Sequence, residues 1–193
     1  MAVSLDFRRD IVPFLIATLG EFIALVLWLR WLDAGATTAA RVALWTGFAI
    51  ERVAVAVWVR YGYAPQSGVT RGPLGITAIF LFVITLAELG IWGLWLNASR
   101  GRGILVGAAL LFVLIHALHS LEMGAVKNRS PLVYARNART LLFSVMEAIG
   151  GAGWLWLHDG GQPVGGAAVL LVGLSIEHVV QGRLLKPQPA GTG

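Results

Sequence analysis

Long apolar stretches bounded by charge recur along the whole chain, at about 11–32, 42–60, 74–97, 103–124, 140–158 and 163–183. A helix needs about 20 such residues to cross roughly 30 Å of hydrocarbon. Only helices and closed barrels satisfy their own backbone polar groups there. The expected fold is an all-α integral membrane protein, a six-helix transmembrane bundle forming one domain over residues 1–193. Composition agrees, with 57% of the residues hydrophobic and 13% charged, against about 25% charged in soluble domains. No length remains for a separate soluble domain.

The chain contains no cysteine, which excludes disulfides, thiolate metal sites and covalent c-type haem. Its net charge of +5 comes from basic residues between the apolar stretches. There they orient helices and meet anionic head groups, so the expected partner is the lipid bilayer and not nucleic acid. Arg8, Arg9, Arg60, Arg71, Lys127, Arg129, Arg136, Arg139, Arg183 and Lys186 fall on one side, and Arg30, Arg41, Arg100 and Arg102 on the other. That bias places both termini in the cytoplasm, in a multi-pass cell-membrane protein. The connections 61–73 and 127–139 are then cytoplasmic, and the tail 187–193 reads as disordered. The first stretch has a Glu at its centre and no small-residue cleavage site, so it reads as a retained helix.

The odd-numbered stretches share a pattern: TLGEFIALVLWL, TLAELGIWGLWL and SVMEAIGGAGWLWL. Thr18, Thr85 and Ser144 lie three residues before Glu21, Glu88 and Glu147, while Trp28, Trp95 and Trp154 lie seven after them. The even-numbered stretches place Glu51, His119 and Glu177 at 30, 31 and 30 residues beyond those Glu. Three αα-hairpin repeats are expected, over about 11–60, 74–127 and 140–186. At 1.5 Å per residue the six positions fall in one layer of the membrane. Seven residues are close to two turns, so each of the three Trp shares the face of its Glu, about 10 Å nearer the outside. They are candidates for lining a substrate site or for the interfacial aromatic belt, to which Trp31, Trp92 and Trp156 are assigned.

Acidic residues are sorted by type. Glu21, Glu51, Glu88, Glu122, Glu147 and Glu177 all lie inside apolar stretches, and Asp6, Asp10, Asp33 and Asp159 lie outside or at the edges. His116, His119 and His178 are also inside. A charged group at the centre of a spanning helix costs about 2.5–3.5 kcal/mol, so six ionised Glu oppose insertion by on the order of 15–20 kcal/mol. Arg52, beside Glu51, is the one Lys or Arg that lies away from the ends of a stretch. Either most of these Glu are protonated or cations bind among them.

The candidate acid–base residues are Glu21, Glu51, Glu88, Glu147 and Glu177, supported by Thr18, Thr85, Ser144 and Arg52. On the fourth stretch His116, His119 and Glu122 follow at i, i+3 and i+6 along one face. With His178 they form a candidate shell for one or two divalent metal ions. This inventory resembles, in composition, the mixed Glu/His set of di-iron carboxylate bundles, although the Glu-x-x-His order of those proteins is absent. A b-type haem between His119 and His178 is disfavoured by the surrounding carboxylates. Phosphate-binding, dinucleotide, HExxH and GxSxG motifs are missing. Gly47, Gly90, Gly93, Gly166, Gly173 and the run 150–153 are expected at close helix contacts.

The function expected from these residues is an intramembrane enzyme acting on a hydrophobic or lipid-like small molecule. It would be metal-dependent, or would use Glu as a general acid on an isoprenoid, polyene or epoxide. One alternative is a small proton- or cation-coupled transporter using the same Glu layer. A further one is a structural protein whose polar groups join helices by hydrogen bonds.

Overall fold

The computed structural model describes residues 12–58, 74–127 and 129–185. Among them every regular element is a helix: α1 (Val12–Asp33), α2 (Thr37–Trp58), α3 (Leu74–Arg102), α4 (Ile104–Lys127), α5 (Pro131–Ala135), α6 (Ala138–Asp159) and α7 (Pro163–Leu185). Within α1, α3, α4, α6 and α7 lie five segments long and apolar enough to cross a membrane. Helix α2 has 22 residues but carries Arg41, Glu51 and Arg52, and is not among the five. Large apolar side chains point outward, with Leu105 82% and Val164 83% exposed, as a lipid-facing surface requires. The chain is a multi-pass membrane protein.

The helix ends follow from local chemistry. Helices α1, α3 and α6 stop next to Gly35, Gly103 and Gly161, whose φ angles of 76°, 99° and 79° suit glycine and end a helix. Helices α2, α4 and α7 follow after one to three residues, so each pair is an antiparallel hairpin. Pro131 and Pro163 open α5 and α7, where a missing N–H costs nothing. The Asn137 side chain caps α6 by accepting from the backbone N–H of Arg139 at 2.9 Å and of Thr140 at 3.4 Å. Helix α5 lies within 127–139, a connection expected to be loop. Residues 59–73, 186–193 and the first eleven lie outside the described residues, including the expected disordered tail.

The six long helices form a closed ring in chain order: α1 packs on α2, α2 on α3, α3 on α4, α4 on α6, α6 on α7, and α7 on α1. Small residues bring the hairpin partners together. A Cβ on Gly47 would overlap that of Ala24, and one on Gly107 the side chain of Ser99. On Gly173 it would lie 2.8 Å from the Cα of Gly150, and on Gly166 2.6 Å from the carbonyl of Trp154. Gly90 and Gly93 depart from the expectation: a Cβ there meets nothing within 4 Å, so neither is a close contact.

Candidate functional site

The ring turns its polar residues inward. Glu21, Glu51, Glu88, Glu122, Glu147, Glu177, Arg52, His119 and His178 are all 5% exposed or less. Each hairpin supplies three of these groups: Glu21, Glu51 and Arg52 from α1–α2, Glu88, His119 and Glu122 from α3–α4, and Glu147, Glu177 and His178 from α6–α7.

Arg52 divides the layer. Its Nη1 donates to Glu122 Oε1 at 2.8 Å, its Nη2 pairs with Glu88 Oε2, and its Nε lies 3.1 Å from Glu51 Oε2. One guanidinium thus donates to carboxylates on α3 and α4 and forms an ion pair with its neighbour Glu51 on α2. Glu21, Glu147 and Glu177 have no such cation among the described residues. Both oxygens of Glu147, Oε1 of Glu21 and Oε2 of Glu177 are buried without a hydrogen-bond partner, as are Arg52 Nε, Glu51 Oε2 and Glu122 Oε2 on the arginine side. Orphan acceptors of this kind are costly and rare in a stable fold.

Two imidazoles face these carboxylates. The His178 ring donates from Nδ1–H to the Leu174 carbonyl at 3.0 Å, since a carbonyl can only accept. In the neutral ring its Nε2 is then bare, 3.9 Å from Glu21 Oε2. The Ser144 hydroxyl gives its proton to the Thr140 carbonyl at 2.9 Å, so its oxygen accepts from His119 Nδ1–H at 3.0 Å. Nε2 of His119 is then also bare, 3.4 Å from Glu147 Oε2 and 3.6 Å from Glu177 Oε1. Those separations are those of unbonded neighbours and exceed the usual N–H···O range.

Of the expected metal-shell residues, His119 and His178 meet the carboxylates, whereas His116 and Glu122 are engaged elsewhere. Half-buried His116 donates from Nε2–H to the Ala135 carbonyl on α5 at 3.1 Å, and its Nδ1 lies 3.2 Å from Ser144 Oγ. Glu122 is held by Arg52. Three groups have donor atoms that all lie within 4.8 Å of one another: Glu21, Glu177 and His178; His119, Glu147 and Glu177; and Glu21, Glu88 and Glu147. Ser144 supports the histidines instead of Glu147, and buried Thr18 has no hydrogen-bond partner for its hydroxyl. Gln181, buried and with an unpartnered Oε1, was not foreseen. Its position four residues after Glu177, on the same helix face, is the signal that marks it.

Trp28, Trp95 and Trp154 are buried, and Trp95 stacks on Trp154 with ring centres 6.2 Å apart. Trp92, assigned to the interfacial belt, is instead fully buried, edge-on to Trp95 at 5.1 Å. Trp156 is 66% exposed, in keeping with a belt residue. Beyond the indoles, Arg100 binds Asp33 at 2.8 Å and Asp159 at 2.9 Å, and His158 Nε2 lies 2.9 Å from Asp33. These contacts join the ends of α1, α3 and α6. Asp33, Arg100 and Asp159 each lie twelve residues after Glu21, Glu88 and Glu147, a spacing that also escaped the sequence reading.

Cavities flank the bundle among the described residues. One of about 420 Å³ is lined by Trp28, Ala40, Arg41, Leu96 and Arg100 among others. The second, of about 540 Å³, runs between Phe80, Val83, Ile84, Leu121 and Arg129. It reaches Ile84, one turn before Glu88, and Leu121, next to Glu122. No family model matches the chain, and no curated protein or solved structure does so either.

Proposed function

We propose that this protein is an enzyme embedded in the membrane that acts on a hydrophobic small molecule, using a divalent metal held in the cation-free half of its polar layer. The observation that carries the reading is the division made by Arg52. Three carboxylates are ion-paired with its guanidinium, whereas Glu21, Glu147 and Glu177 have no Arg or Lys partner among the described residues and face the Nε2 atoms of His119 and His178. Imidazole nitrogens whose other N–H is held by a carbonyl or hydroxyl have the orientation of metal ligands. A cation there balances charge that is otherwise expensive in a membrane.

The chain is read as six spans in three hairpin repeats, with both termini cytoplasmic. The common spacing of Glu and Trp with Asp33, Arg100 and Asp159 supports the repeats, and the excess of Lys and Arg supports the orientation. The apolar cavity beside Ile84 and Leu121 suits entry of a lipid-like molecule from the bilayer. Trp92, Trp95 and Trp154 pack on one another one to two turns beyond the Glu of their helices, an arrangement that favours a site filled laterally over a path across the membrane. Their indole faces are suited to stabilising a developing positive charge on an isoprenoid or polyene.

Elemental analysis of detergent-purified protein tests the metal. A transition metal at one equivalent or more per chain is expected in the wild type and in Glu122→Gln, with marked loss in His119→Ala. Wild-type protein that binds no metal after incubation with Mn²⁺, Fe²⁺ or Zn²⁺ would overturn the reading.

A further inference from the structure

The bare nitrogens of His119 and His178 belong to different donor sets. Two ligands on opposite sides of one ion lie about twice the metal–ligand distance apart, so about 4 Å for bonds of about 2.0–2.1 Å. Sets whose donor atoms all fall within 4.8 Å can therefore close on a single ion with small adjustments. Glu21, Glu177 and His178 form one such set, and His119, Glu147 and Glu177 form another. No such set among the described residues contains both imidazoles. Glu177 is common to the two, and a carboxylate has two oxygens with which to bridge.

We infer that the layer holds a dinuclear metal centre, with one divalent ion bound by Glu21, Glu177 and His178, a second by His119, Glu147 and Glu177, and the Glu177 carboxylate shared between them. This rests on the metal reading above and specifies its stoichiometry and ligands.

Charge argues for two ions over one. If the six Glu are ionised, six negative charges and the single positive charge of Arg52 leave −5 in the layer. One divalent ion leaves −3 and two leave −1. Orphan oxygens occur in both sets: Glu21 Oε1 in the first, both Glu147 oxygens in the second, and Oε2 of the shared Glu177. Each set also has its own orienting partner: the Leu174 carbonyl for His178, and Ser144 for His119. A donor set of carboxylate and imidazole suits Mn²⁺, Fe²⁺ and Zn²⁺, with no thiolate to favour copper(I). Glu88, which pairs with Arg52 and also lies within 4.8 Å of Glu21 and Glu147, links the centre to the guanidinium.

The test is the full-length protein in detergent, stripped with chelator and reloaded with Mn²⁺ alone, read by bound-metal analysis and electron paramagnetic resonance. The expected result is two Mn²⁺ per chain with the exchange-coupled spectrum of a close pair. His178→Ala and His119→Ala should each retain one ion and show the six-line spectrum of isolated Mn²⁺. One ion per wild-type chain, or two without coupling, would overturn the dinuclear centre while leaving a metal site in place. A wild type that takes up no Mn²⁺, Fe²⁺ or Zn²⁺ would remove both the centre and the metal reading. The wild-type result decides the matter even if a variant fails to fold.

Discussion

Among the described residues, Arg52 pairs with more carboxylates than any other side chain. Glu51, Glu88 and Glu122 converge on it from α2, α3 and α4, all within the ring and away from water. Removing one partner of a buried ionic group leaves uncompensated charge and costs about 3–5 kcal/mol, so Arg52→Met is expected to destabilise the detergent-solubilised protein on that scale in thermal unfolding. The double variant Arg52→Met, Glu122→Gln should recover part of the loss, because it also removes a stranded carboxylate. Arg52→Lys should rescue poorly, since one ammonium lacks the planar fork. The sequence revealed the convergence of the Glu residues with His119 and His178, because ionisable groups in apolar stretches must face one another. It did not reveal how they divide. Arg52 was legible as a neighbour of Glu51, but its reach to Glu88 and Glu122 depends on side-chain direction. His116 shares a helix face with His119 in sequence, yet it turns to the Ala135 carbonyl on α5, a helix within a connection that carries no apolar periodicity.

The helices meet through glycine at particular places and not wherever glycine occurs. Gly47 faces Ala24 so closely that a side chain must push α1 and α2 apart. Gly47→Ala is therefore expected to cost about 1–3 kcal/mol, the usual penalty of overpacking. Gly90→Ala, at a position open to 4 Å, should leave the melting temperature unchanged or raise it, by relieving a helix of a glycine at up to about 1 kcal/mol. Parallel melting curves of the two variants check the contrast. Composition could not separate these glycines, because both lie in apolar segments and differ only in what stands opposite. Trp92 teaches the converse. Depth alone assigned it to the lipid interface, whereas its spacing from Glu88 and Trp95 puts all three on one helix face at i, i+4 and i+7. Trp156, nine residues after Glu147, falls off that face and is exposed. The helix boundaries were read to within a few residues, except that α2 begins at Thr37 and α3 runs on to Arg102, extensions made of residues too polar to register as membrane span.

Across the whole molecule, the ion pairs of Arg100 with Asp33 and Asp159 and the inner polar layer are separate devices. Asp33, Arg100 and Asp159 are each about a third or more exposed, so their ion pairs are screened and worth at most about 1 kcal/mol. Arg100→Gln is expected to lower stability by no more than that, with an effect that shrinks in high salt, and to leave metal content unaltered. Thermal unfolding at two ionic strengths with elemental analysis checks both halves of the statement. The three hairpins alternate around the ring in similar roles but do not carry the same chemistry: the first brings a guanidinium, and the second and third each bring an imidazole to the layer. Three identical hairpins associating as separate chains would repeat every device three times, cation and ligand alike, and could not set an arginine on one flank and histidines on the other. Joining the hairpins in one polypeptide lets the interior be lopsided, and a lopsided interior can hold a bound charge off-centre, next to one wall of the ring.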